Sequence, residues 1–198
     1  MRWVVAVVSV LLSAFTGTGT GNADDRQRIR LDSSSSALHM PVGEQVVLVE
    51  PAIEDYAFIL FEICDALGLT SQECMIYPLN GDLGGNAIAT VEDGNRVIVY
   101  DRALSPLIGY EGAEMVVAHE LAHHFCGHLG LPPAPAHELE ADLFAGAAMR
   151  LMDRSLDSAL SAVDMFSTRP SKSHPARGDR VSAITMGWSQ PELGKGCV

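Results

Sequence analysis

The chain has 198 residues, enough for one domain with a real hydrophobic core. Its 25 acidic against 13 basic residues give a formal charge of −12, which excludes nonspecific binding to nucleic acid or to anionic lipid. Four cysteines, Cys64, Cys74, Cys126 and Cys197, form an even set that suits two disulfides in an exported protein.

The chain opens as an export signal. Arg2 supplies the positive end, Trp3 to Phe15 the apolar stretch, and small residues lead to "GNA" before "DD", predicting cleavage after Ala23. The apolar stretch is shorter than the roughly 20 residues that span a bilayer, so no stable membrane insertion is expected after cleavage. Losing residues 1–23 removes Arg2 and no acid, taking the charge to −13. The expected location is periplasmic or secreted. Residues 24–40 are polar, carry "SSSS" at Ser33 to Ser36, and read as a flexible leader; residues 41–198 form a single domain.

Within that domain, "EQVVLVE" leads into a helix predicted from Pro51 to Leu67 and stopped by Gly68. Met75 to Leu79 is a short strand. Asn86 to Val91 and Arg96 to Tyr100 flank "EDGN", a hairpin signal. A helix begins near Asp101 and breaks at Gly109. "EGAEMVVAHELAHHFCGH" is a strong helix with Gly127 near its end, and "LGLPPAPA" a proline-rich loop. "HELEADLFAGAAMRLM" is a second strong helix, Leu156 to Phe166 a third, and a last one goes with "SHPARGDRVSAITMGW", where Pro175 suits a first helical position with His174 at the cap. The sum is α+β, mostly helical with a small early sheet. The nearest cysteines, Cys64 and Cys74, are expected to pair, leaving Cys126 with Cys197. Three pairings can be drawn from four cysteines, and four free thiols remain an alternative.

His119, Glu120 and His123 spell H-E-x-x-H. Helical positions four apart differ by about 40°, so both imidazoles leave one face and can grip one ion. Zinc takes three protein ligands and keeps a fourth position for water, whose proton a carboxylate such as Glu120 can accept. The third ligand decides the reading. The metzincin spacing would need glycine at 126 and histidine at 129, where this chain has Cys126 and Leu129. His128 would lie about 180° round the helix from His119, and Cys126 about 10 Å along it. His124 and His128 therefore read as ordinary polar or capping histidines. On the following helix Glu138 and Asp142 share a face, whereas Glu140 points to another side and reads as solvated. Glu138 as ligand and Asp142 as the acceptor for a ligand's second nitrogen would complete a gluzincin-type site; the alternative is a charged helix start, since acids favour a first turn, which accounts for Glu138 or Glu140 but not for Asp142 one turn in.

"VVAHELAHHFCGH", "ELEAD" and "SHPARGDR", in that order, resemble the M48 family of zinc metallopeptidases, over about Ile76 to Met186. The resemblance implies a zincin-like fold and one Zn2+ per chain. It places ligands at His119, His123 and Glu138, the base at Glu120, a supporting Asp at Asp142, a His-Pro at His174 and Pro175, and an Arg at Arg180. His174 would stabilise an oxyanion or contact the metal at rest. "NAIAT" resembles the family's strand before the active-site helix. Asn86, Ala87 and Ile88 are accordingly the candidate substrate-binding edge, where an extended peptide adds as a strand. The gap between His123 and Glu138 is shorter than is common in the family, and its membrane helices are absent. The expected activity is endopeptidase cleavage of exported or envelope proteins, with peptide or unfolded protein as substrate. A zinc-bound binding or chaperone-like module without turnover is the alternative, and a helical domain without metal a weaker third reading.

Overall fold

A computed structural model of the protein describes residues 38–42, 45–52 and 55–197. The expected signal segment, and the leader as far as residue 37, lie outside the described residues. The described residues from His39 onward form one compact unit.

Five strands build one sheet: β1 (Leu38–Val42), β2 (Gln45–Pro51), β3 (Tyr77–Gly81), β4 (Ala87–Glu92) and β5 (Asn95–Tyr100). Their spatial order is β1-β2-β3-β5-β4. β3 and β5 run parallel, while β2 with β3 and β4 with β5 are antiparallel. The β4–β5 hairpin is the expected one. Glu92 faces Asn95, and the two turn residues Asp93 and Gly94 have φ of 49° and 78°, as a type I′ turn demands. Because β5 pairs on its other side with β3, the hairpin leaves β4 at the edge of the sheet.

Two early expectations are corrected. Leu38 to Met40 belong to β1 rather than to a leader. The first helix, α1, spans Asp55–Leu67 and not Pro51–Leu67. Val47 and Val49 are buried while Val46 and Leu48 are exposed, a two-residue period that makes this stretch a strand. Pro51 closes that strand opposite Leu79.

The remaining helices are α2 (Leu104–Ile108), α3 (Tyr110–Phe125), α4 (Pro135–Leu151), α5 (Leu156–Ala159), α6 (Arg177–Ser189) and α7 (Pro191–Gly194). The helix expected over Leu156 to Phe166 breaks into α5 and a 3-10 turn at Val163–Met165. Ser155 Oγ caps the start of α5 by accepting from Ser158 N at 3.0 Å, while Ser161 Oγ donates to Ser158 O at 2.8 Å and so competes for a carbonyl that a continuing helix would use. α6 begins at Arg177, with Ala176 as cap, not at Pro175. His174 N donates to Ser171 Oγ and Arg177 N to Ser167 O, which commits this segment to a loop.

α3 runs through the middle of the molecule. Ala113, Met115, Val117, Ala118, Leu121 and Ala122 on it are fully buried, against α1, α4 and the β4–β5 hairpin. α4 packs on α3 and, most closely, on α6. A Cβ added at Gly187 would lie 1.9 Å from Leu143 O, and one at Gly146 would lie 2.2 Å from Ile184 O. Both glycines thus bring the two backbones into contact along the later turns of α6. Disulfides join Cys64 to Cys74 and Cys126 to Cys197, the expected pairs. Two disulfides fit an oxidising environment. Among the described residues no helix is long and apolar enough to cross a membrane.

Candidate metal centre

His119, Glu120 and His123 lie on α3, a helix that stays regular because alanine and leucine fill the positions between them. Glu138 sits in the first turn of α4. Pro135 opens that helix after the extended Ala134, and an acid there is favoured by the helix dipole. The close packing of α3 on α4 brings three ligand atoms together. His119 Nε2 lies 3.1 Å from His123 Nε2 and 3.4 Å from Glu138 Oε2, and His123 Nε2 lies 3.7 Å from Glu138 Oε1.

These separations test the fit of an ion. Tetrahedral zinc bonds of about 2.0–2.1 Å put neighbouring ligand atoms roughly 3.3 Å apart. Two imidazole nitrogens and a carboxylate at 3.1–3.7 Å match that spacing, so the three residues are positioned to hold a metal ion.

Electrostatics follow the geometry. Burial pulls His119 down, but the hydrogen bonds to Asp142 and Glu138 outweigh it and raise its pKa to about 10. Burial, then the charge on His119, lowers His123 to about 3. Two rings facing each other through Nε2 cannot both be charged. Burial raises Glu138, but the hydrogen bond and charge of His119 prevail and hold it near 2. Glu120 is buried, and that burial pushes its carboxyl up to about 7.

The supporting residues form a second layer. His119 Nδ1 lies 3.0 Å from Asp142 Oδ1, and Arg180 from α6 donates to both Asp142 oxygens at 2.7 Å. Arg180 is buried, with its guanidinium 3.8 Å over the Phe166 ring. Arg180 is thus no surface arginine: it locks Asp142 in place. His174 Nε2 stands 3.6 Å from Glu138 Oε2 on a half-exposed side chain, and Ser173 Oγ is 2.8 Å from its Nδ1.

A cleft of about 890 Å³ opens on these residues. Asn86, Ala87 and Ile88 line it, as do His119, Glu120, His123, Glu138, His174 and Arg180. Glu120 Oε2 accepts a hydrogen bond from Ala89 N at 2.6 Å, which ties the α3 carboxylate to strand β4. Asn86 has spent its carbonyl on Asp101 N.

His128 and Glu140 differ from their sequence reading. His124 is buried and its Nε2 meets Val97 O at 2.8 Å, pinning α3 to β5. His128 is buried too, with Nδ1 3.0 Å from His123 Nδ1 and Nε2 2.7 Å from Glu140 Oε2. Glu140 is therefore engaged and not simply solvated. The helical-wheel placement of His128 fails because α3 ends before it. Gly127, with φ of 70°, turns the chain back, and His128 N donates to His123 O at 3.0 Å, the closing bond of a Schellman cap. A glycine followed at once by histidine was the available signal. Cys126, His128 and Glu140 also bring ligand atoms within 4.8 Å of one another, but the Cys126 sulfur is bonded to Cys197.

Compared with known proteins, the chain matches no family model, no curated protein sequence and no solved structure.

Proposed function

We propose that the chain is an exported zinc endopeptidase of the M48 type that cleaves peptide bonds in unfolded or surplus envelope proteins. The observation that carries the reading is the triangle of His119, His123 and Glu138 beside the buried Glu120 carboxylate, on a cleft bounded by an edge strand.

His119, His123 and Glu138 would hold the ion. When bound, zinc supplies Lewis-acid chemistry, making water a stronger acid and a carbonyl a better electrophile. Glu120 takes the proton of the attacking water. Its Oε2 is held by Ala89 N–H, which leaves Oε1 to accept that proton and return it to the leaving amine. His174 lines the cleft with Nε2 3.6 Å from Glu138 Oε2 and Nδ1 2.8 Å from Ser173 Oγ, and an Nε2 proton would stabilise the developing oxyanion. The substrate lies extended along β4, drawing affinity from main-chain hydrogen bonds.

Zinc content and casein cleavage, measured on the purified mature chain and on Glu120→Gln, test this. One zinc per chain in both, with cleavage only by the unsubstituted chain, is the expected outcome. Zinc in both without cleavage would instead identify a non-catalytic zinc module, and no zinc in either would remove the metal reading.

A further inference from the structure

The arrangement around His123 carries an inference that rests on the zinc reading above and goes beyond it. We propose that Glu140 and His128 form a positioning relay that fixes the His123 tautomer and ring angle needed for metal ligation.

Glu140 Oε2 lies 2.7 Å from His128 Nε2, and a carboxylate can only accept. The proton of a neutral His128 is therefore on Nε2, and its Nδ1 carries a bare electron pair. That Nδ1 lies 3.0 Å from His123 Nδ1, so the proton between them belongs to His123. A neutral His123 protonated at Nδ1 has its free electron pair on Nε2. That is the nitrogen facing His119 and Glu138. Each link dictates the next, and the chain ends with a lone pair aimed at the metal position.

Position is as well determined as protonation. The Schellman cap at Gly127 fixes the backbone of His128 over the last turn of α3. The ring of His137 stacks on that of His128, with centroids 4.6 Å apart and planes 13° apart, which sets its rotation. The His128 ring stands nearly edge-on to that of His123, at 5.1 Å and 69°. His128 is 7% exposed, so water does not compete for these bonds. The centre then has two supports of different chemistry. His119 leans on a carboxylate locked by Arg180, whereas His123 leans on an imidazole backed by a carboxylate. The imidazole link keeps the Glu140 charge one ring further from the ion, while its hydrogen bond still strengthens His123 as a ligand.

The test uses the full mature chain with zinc added. Zinc affinity is measured by chelator competition on the wild type, His128→Ala, His128→Gln and Glu140→Gln. Long-range proton–nitrogen NMR reads the histidine tautomers of the zinc-loaded wild type. His128→Ala should weaken zinc binding by about 10–100-fold. His128→Gln, whose amide can accept from His123 and donate to Glu140, should recover most of it; a purely structural role would not be rescued this way. The spectra should show His123 protonated at Nδ1 and His128 at Nε2. Should His128→Ala fail to fold, Glu140→Gln, with an acceptor oxygen but no charge, must still show weakened zinc binding. Zinc affinity unchanged in His128→Ala, or His128 protonated at Nδ1, overturns the relay alone. A wild-type chain that takes up no zinc overturns the metal reading and the relay with it.

Discussion

The third ligand decides what the pair of histidines on α3 can do. Glu138 Oε2 faces His119 Nε2 and its Oε1 faces His123 Nε2, so this one carboxylate closes the triangle. Glu138→Ala should lower zinc affinity by at least about 100-fold, more than the loss of an outer hydrogen bond causes, while the far-ultraviolet circular dichroism stays unchanged. Near-native zinc binding in this variant would move the third ligand elsewhere. At this scale the sequence is a good guide wherever residues share a helix. The spacing of His119 and His123, and of Glu138 and Asp142, translates directly into shared faces. It stops being a guide one residue past a helix end. A wheel extended through Gly127 puts His128 on the far side, but the left-handed backbone of that glycine reverses the chain. Glu140 follows His128, since its partner is that same histidine.

Between elements, the contact of α4 with α6 controls how the outer residues of the centre meet. Gly146 and Gly187 let each backbone reach the other, and α6 carries Arg180 to the Asp142 carboxylate on α4. Gly187→Ala should cost about 1–3 kcal/mol through overpacking and lower the melting temperature by a few degrees, with weaker zinc binding as Arg180 withdraws. An unchanged melting temperature would show that the helices can part without loss. The hairpin, α3 and α4 were legible because turn chemistry and apolar periodicity agree there. The early strands were not, since β2 ends in a proline that also suits a helix start. The break after α5 was hidden as well, because serine hydroxyls weaken a helix only in a particular fold. A second element-scale device is the Asp101 carboxylate, which gathers the loop before β4. It accepts from Leu83 N at 2.9 Å, Gly85 N at 2.8 Å and Ala103 N at 2.8 Å. Burial pushes its pKa up, but these donors outweigh burial and hold it below its ordinary value of 3.8. A carboxyl depressed in the folded state stabilises it above the unfolded value and loses that contribution as pH falls through the folded value. Asp101→Asn should therefore be less stable than wild type at neutral pH in urea titrations, with the gap narrowing below pH 3.8. A gap independent of pH would assign the loss to shape instead of charge.

For the molecule as a whole, the bond from Cys126 to Cys197 spans 71 residues and anchors the C-terminus beside the end of α3. By loop-closure entropy a bond of that span is worth about 4 kcal/mol. Its neighbourhood gives it a further consequence. Before oxidation, Cys126 offers a thiolate beside His128 and Glu140, a rival soft-donor grip for the same kind of ion. Once the sulfur is bonded it has no charge to give, and His128 is left to face His123. The reduced chain should therefore carry more zinc than the oxidised one, and a Cys126→Ser, Cys197→Ser chain should lose that excess. Equal loading in all three would dismiss the competition. In the zinc reading proposed above, the disulfide thus orders maturation, sulfur before metal, because only the oxidised chain offers the ion a single grip.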